Sequence, residues 1–233
     1  MDIEPPEKAI DSWRDFFVHM ATIVLGILVA ISLEQSVEAL HHRYLRSNLE
    51  REMLSEAEVN RTIISDDMNN DNTSLIFIDN LFSAMSKAKY SGRGRWEFTV
   101  PGPPDSESTM PSRAVWKMAL AAGLVAYIPE GRAEVYERLD MEAAQEETSS
   151  ELAGAAWSDL DSFARRIGVN ISPGSTISLT SQQLDELGRL YARDSSAIST
   201  NLYRLRILKG ANEAVIENTD NLDDMMHLIE KNE

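Results

Sequence analysis

The chain has no cysteine, and it holds only 4 histidines among 233 residues. The missing thiols exclude disulfides, thiolate nucleophiles and cysteine-based zinc sites together. Basic residues are short as well: 22 Lys and Arg stand against 38 Asp and Glu, a formal net charge of −16. Affinity for nucleic acid and for anionic headgroups comes mainly from Lys and Arg, so no nucleic-acid partner is expected. The acidic residues are spread along the chain and read as solvated helix faces. Glycine and proline are few, 11 and 8, and they are densest between 91 and 111, which holds seven of them. The rest can therefore be helical, and 43% hydrophobic residues suffice for a core.

One long apolar run stands out, from Phe16 to Gln35, with 18 residues free of formal charge between Asp15 and Glu34 apart from His19. As a helix it reaches about 27 Å, close to the hydrocarbon thickness of a bilayer. Val18, Ile23, Leu25, Ile27, Leu28 and Val29 leave it no polar face, unlike a soluble surface helix. Trp13, Phe16 and Phe17 supply an interfacial aromatic end. A cleaved signal needs a basic n-region, and this one is acidic. The run reads as an uncleaved transmembrane helix with the lipid bilayer as partner. Lys8 and Arg14 before it nearly balance Arg43, Arg46 and Arg51 after it. Arg14 sits at the edge, so the expected orientation puts the N-terminus in the cytoplasm and the large domain outside. Thr22, Gly26 and Ala30 form a small-residue stripe that lets two spans approach, hence an expected homodimer.

After the span the helical pattern continues to "DDMNNDN", where Asn and Asp compete for the backbone and a break is expected. A second helix covers "TSLIFIDNLFSAMSKAKY". The stretch 91–111 reads as a long loop; "RWEFTV" could form a strand, but one strand is not a sheet. The loop is where a partner contact would be sought. "GRGR" lacks the spacing of a phosphate-binding loop. Ser112 can cap "SRAVWKMALAAGLVAYI", and Pro129 opens a helix that Gly168 stops. Thr180 with Gln183 makes a T-x-x-Q capping box for the last long helix. In that helix Leu184, Tyr191, Ile198 and Leu205 form one apolar series, and Leu187, Leu208 and Val215 a second, which Asp194 and Asn201 interrupt. Those two breaks suit a helix packed in a bundle better than an exposed coiled coil. The tail "ENTDNLDDMMHLIEKNE" is expected to fray.

The expected architecture is all-α: a tail (1–15), a transmembrane helix (16–35) continuing into a long helix, an antiparallel helical bundle (36–217) with one long Gly/Pro-rich loop (91–111), and an acidic C-terminal tail (218–233). Two stretches carry a resemblance: the span leading into "LEQSVEALHHR", and "SRAVWKMALAAGLVAYIPEGRAEVYERL", where Trp116, Ala119 and Gly123 fill a W-x-x-A-x-x-x-G spacing. The chain thereby resembles bacterial single-pass membrane proteins built as short tail, one span and helical domain. The resemblance implies a bacterial inner-membrane location with the C-terminal domain in the periplasm, and no activity, since none is assigned to those proteins. Trp116 reads as a core anchor.

Chemistry is sparse. Glu38, His41 and His42 share a helix face, yet no second His pair supports a metal site. There is no G-x-S-x-G and no H-E-x-x-H. No enzyme, cofactor or metal is expected. The leading expectation is a membrane-anchored protein-interaction or scaffolding module with an unknown protein partner. The alternative is an extracytoplasmic ligand-sensing bundle acting through a partner, since the short tail before the span leaves no room for an output domain.

Overall fold

The computed structural model describes residues 13–102, 109–171 and 174–232. Most of the expected N-terminal tail and Pro103 and Pro104 of the expected loop lie outside them. The chain forms two compact units, Met1–Asn48 and Leu49–Glu233.

Helix α1 runs from Trp13 to Ser86. Its part in the first unit contains the one candidate membrane span among the described residues, long and apolar enough to cross a bilayer. The rings of Trp13, Phe16 and Phe17 cluster at its start, with centroids 5.4–5.8 Å apart. The hydroxyls of Thr22 and Ser32 donate to the carbonyls of Val18 and Leu28 at 2.8 and 2.7 Å. Such internal satisfaction is what a polar group needs in hydrocarbon.

In the second unit the expected break at "DDMNNDN" does not occur. Asn72 and Thr73 bond back to the carbonyls of Met68 and Asn69, both at 2.8 Å, and so stay compatible with helix. Asp67 is buried, so tertiary packing outweighs local propensity here.

The all-α expectation needs a second correction. A three-stranded antiparallel sheet joins β1 (Lys89–Gly92), β2 (Arg95–Thr99) and β3 (Thr176–Thr180) in that order. "GRGR" is the hairpin turn, with Gly92, Arg93 and Gly94 all at positive φ. The strand read in "RWEFTV" finds its partners on both sides. Phe98 pairs with Ile177, and both are buried with Leu179 against the helices. The segment "VNISPGSTIS", read as turn, holds much of β3.

Helix α2 (Ala114–Ala121) is shorter than expected. Gly123 turns left-handed at φ 70°, and a single 3-10 turn (Leu124–Tyr127) follows. The N-terminus of α2 is capped by Glu56 of α1, whose Oε1 accepts from the amide of Ala114 at 2.9 Å, while Ser112 Oγ lies 3.3 Å from that amide. Asn60 brackets the Ser112 backbone through two hydrogen bonds of 2.8 Å. Helix α3 (Glu130–Ile167) ends at Gly168, at φ 69°, as the sequence predicts. Helix α4 (Ser181–Ile216) opens with the expected capping box, Thr180 N to Gln183 Oε1 at 3.0 Å and Gln183 N to Thr180 Oγ1 at 3.2 Å.

Packing directions follow from contacts. On α3, Ser149, Asp159 and Arg166 meet Asn201, Arg193 and Glu186 of α4, so the two helices are antiparallel. On α1, Ala57, Asp71 and Met85 meet Asn212, Asn201 and Gly188 of α4, again antiparallel. One core gathers Met53, Ile64, Tyr136, Leu205 and Leu208. A second gathers Phe77, Leu81, Phe163, Leu187 and Tyr191 with the sheet. Leu152, which keeps the helical spacing of α3, is exposed.

The tail expected to fray is helix α5 (Leu222–Asn232). Asn221 caps it, its Oδ1 accepting from the Asp224 amide at 2.9 Å, and Met225 and Ile229 are buried against α4. Gly210 of α4 makes the approach possible: a Cβ there would lie 2.5 Å from Ile229 Cα. Gly210→Ala is therefore expected to destabilise the protein by about 1–3 kcal/mol through overpacking, despite its gain in helix propensity. Urea denaturation checks this; an unchanged or raised midpoint would mean that α5 does not dock as described.

Candidate ligand cavity

The spacing of side chains on three helices builds one cavity. Helix α1 brings Asp67, Asp71, Ser74 and Ile78, each three or four residues from the last and so on one face. Helix α3 brings Ser150 with Gly154 and Ala153 with Trp157, each pair four apart, and α4 brings Asp194, Ile198 and Asn201 at steps of four and three. Between them lies a cavity of about 270 Å³. Its neighbour, about 460 Å³, is bounded by Leu160, Ala164, Ile171 and Tyr191, and Phe77 and Trp157 line both.

The polar wall is partly tied down. Asn201 donates from Nδ2 to Asp71 Oδ2 at 3.0 Å. Its Oδ1 lies 2.6 Å from Ser149 Oγ, which is also 2.9 Å from the Glu146 carbonyl. One hydroxyl proton is thus shared between two acceptors. Asp194 is different. It is 1% exposed, and neither carboxylate oxygen has a hydrogen-bond partner. Leaving a buried carboxylate unpaired is among the costlier arrangements in a protein interior. No Lys, Arg or His lines this cavity.

The electrostatics follow. Burial pushes the Asp194 carboxyl up to about 6. Burial also raises Asp71 to about 6; the Asn201 hydrogen bond opposes the rise and the Asp67 charge adds to it. Glu146 rises to about 7 through burial and then repulsion from Asp67, Asp71 and Glu147. Burial, with the charge of Asp194 behind it, raises the Tyr191 hydroxyl too. Among the described residues no group of three or more His, Asp and Glu side chains converges closely enough to hold a metal ion.

None of the candidate site residues read from the sequence, Thr22, Gly26, Ala30 and Trp116, lines this cavity. Thr22, Gly26 and Ala30 lie exposed on α1 in the first unit. Trp116 is buried in the other core, its ring centroid 5.6 Å from that of Tyr136. The clue in the sequence was the pair of breaks in the α4 series. Asp194 and Asn201 occupy core-facing positions, which polar residues take only when they are paired or functional. Trp157 and Asp71 carried no such mark. Compared with family models, with curated proteins and with solved structures, the chain matches none. The resemblance to bacterial single-pass proteins rests on its two motifs alone, and the reading of function rests on the cavity.

A stability consequence can be measured. Asp194, Asp71 and Glu146 hold protons in the folded state up to pH 6–7, whereas their unfolded counterparts release them near 4. The folded state therefore binds more protons between these limits, and stability falls as pH rises through 6–7. The melting temperature is expected to drop between pH 5 and pH 8, and Asp194→Asn to flatten that slope. For Asp194 alone the effect over this window is on the order of 1 kcal/mol. A melting temperature that climbs over this range, or a slope that Asp194→Asn leaves unchanged, would show that Asp194 is not buried as an unpaired acid.

Proposed function

We propose that the chain is a membrane-anchored helical module that binds a small molecule between α1, α3 and α4 and acts through a protein partner. The observation that carries this reading is Asp194, buried at a cavity wall with both carboxylate oxygens unpartnered. A purely structural bundle gains nothing from such a residue, because an apolar side chain there would pack without the desolvation cost. A ligand with donors repays it. Convergent polar groups beside aromatic surface are the usual composition of a small-molecule site. The candidate span of α1 supports membrane attachment. In this proposal the membrane is a bacterial inner membrane and the second unit is periplasmic, where it meets external ligands.

The ligand-free reading, an interaction or scaffolding module, has one observation in its favour. The Thr22, Gly26 and Ala30 stripe is exposed, and a Cβ added at Gly26 meets no atom within 4 Å, so a second span can lie close. The two readings are compatible, since a homodimer through the span can present two ligand cavities.

Gly154 offers a direct test. A side chain added there meets open space at the cavity wall. The full chain in lipid nanodiscs is screened by thermal shift against amino acids, sugars, organic acids and amines. One class is expected to raise the melting temperature by a few degrees at saturating concentration. Gly154→Phe is expected to fold and to lose the shift. No shift with any class, or a shift indifferent to Gly154→Phe, would reject the cavity as a ligand site.

A further inference from the structure

We infer that the cavity takes an organic ammonium ion with an apolar body, the ammonium lying against Asp194 and Asp71 and the apolar body along Phe77 and Trp157. This rests on the ligand-binding reading above and names the chemical class.

Four observations favour an organic cation over the other classes. The wall carries Asp67, Asp71 and Asp194 and no basic side chain, so organic acids would be repelled. Ionised carboxylates only accept hydrogen bonds, and an ammonium group brings up to three donors to the unpartnered oxygens of Asp194. Among the described residues the acidic groups do not converge to a metal-sized centre. They are spread along a wall faced by Phe77, Ile78 and Ile198, which suits a charged head with a hydrocarbon body. An aromatic face beside such a head adds cation–π attraction.

Size narrows the class further. A cavity of about 270 Å³ lies just under the roughly 300–1,000 Å³ typical of drug-sized ligands. Small alkyl and aralkyl amines fit it. A longer apolar chain has a continuation past Phe77 and Trp157 along Leu160 and Ile171 of the neighbouring cavity, whose lining also includes Asp161 and Arg165.

Protonation gives the site a signature. The titratable groups facing the ammonium are Asp67 and Asp71 from α1 and Asp194 from α4, while Glu146 of α3 stands outside the lining and feels the charges of Asp67 and Asp71. They must be ionised to pair with it, so binding releases protons, and affinity rises with pH. For one carboxylate titrating near 6 the loss of affinity between pH 8 and pH 5 is about tenfold. An alkylamine stays charged throughout.

The test uses the full chain in nanodiscs of neutral lipid at 150 mM salt, where diffuse attraction to the acidic surface is screened. Tryptophan fluorescence and calorimetry follow titration with hexylamine, 2-phenylethylamine, cadaverine and choline. The neutral isosteres 1-hexanol and 2-phenylethanol, hexanoate and calcium chloride are titrated in parallel. Saturable binding of at least one cation is expected, weakened tenfold or more in Asp194→Asn, lost in Gly154→Phe, and weaker at pH 5 than at pH 8. Equal binding of an amine and its alcohol isostere, or amine binding indifferent to Asp194→Asn, would overturn the cation assignment while leaving the cavity a ligand site. Calcium binding that Asp194→Asn abolishes, without amine binding, would assign the wall to an inorganic ion and overturn it too. If none of the four cations binds but another class still shifts the melting temperature, the ammonium inference fails alone. If nothing binds at all, both readings fail together.

Discussion

Helix α4 packs antiparallel against both α1 and α3, so its two apolar series have to satisfy two neighbours at once. Tyr191, Ile198, Leu205 and Leu208 do so and are buried. Between them Asp194 and Asn201 face inward as well, because helical periodicity gives them no other direction. The helices around them cannot close into a dry seam. Asn201 recruits Ser149 and Asp71 and is satisfied. Asp194 recruits nothing, and a cavity remains beside it.

That arrangement concentrates acidic groups where the dielectric is low. Desolvation raises the proton affinity of Asp194, Asp71 and Glu146, repulsion adds to it for Asp71 and Glu146, and no Lys, Arg or His lines the cavity. Elsewhere in the same unit Glu142 Oε2, Arg138 Nε and Asn212 Oδ1 are buried without a partner, but each of those residues keeps another partner, whereas Asp194 alone among the described residues leaves both carboxylate oxygens without one. Arg113 forks onto Asp140 at 2.8 and 2.9 Å and reaches Glu147 at 3.0 Å, which fixes the end of the 109–113 segment against α3. Arg132 donates to the Tyr136 hydroxyl at 3.0 Å and holds Asn218 and Thr219 at the turn into α5. The contrast between these satisfied clusters and Asp194 is the physical basis for treating the cavity as a built site. Stability given up at one place, with the surroundings well packed, is the pattern expected of a functional site.

Much of the helical layout was legible in the sequence. The Thr180–Gln183 capping box, the Gly168 stop and the apolar series of α4 all stand where their patterns put them. The failures have local causes. "DDMNNDN" reads as a breaker, but Asn72 and Thr73 turn back onto their own helix and α4 supplies a partner for Asp71. The sheet was missed because its strands are short and β3 lies almost eighty residues from β2, a pairing that no local pattern reveals. Helix α5 hides in an acidic tail; its N-x-x-D cap at Asn221 and Asp224 and the pair Met225 and Ile229 were the available signs. Of the cavity only Asp194 and Asn201 were marked, as interruptions, since Asp67, Asp71 and Trp157 gain meaning through three-helix convergence.

The central claim is that Asp194 stands at its position at a cost to the fold. Urea denaturation of Asp194→Leu at pH 8, with no added ligand, tests it most directly. The cavity leaves room for the larger side chain, and the substitution removes an unpaired buried charge. A raised midpoint is the result the account requires. A lowered midpoint, corresponding to a stability loss of about 1 kcal/mol or more, would mean that the carboxylate has a structural partner, and would contradict it.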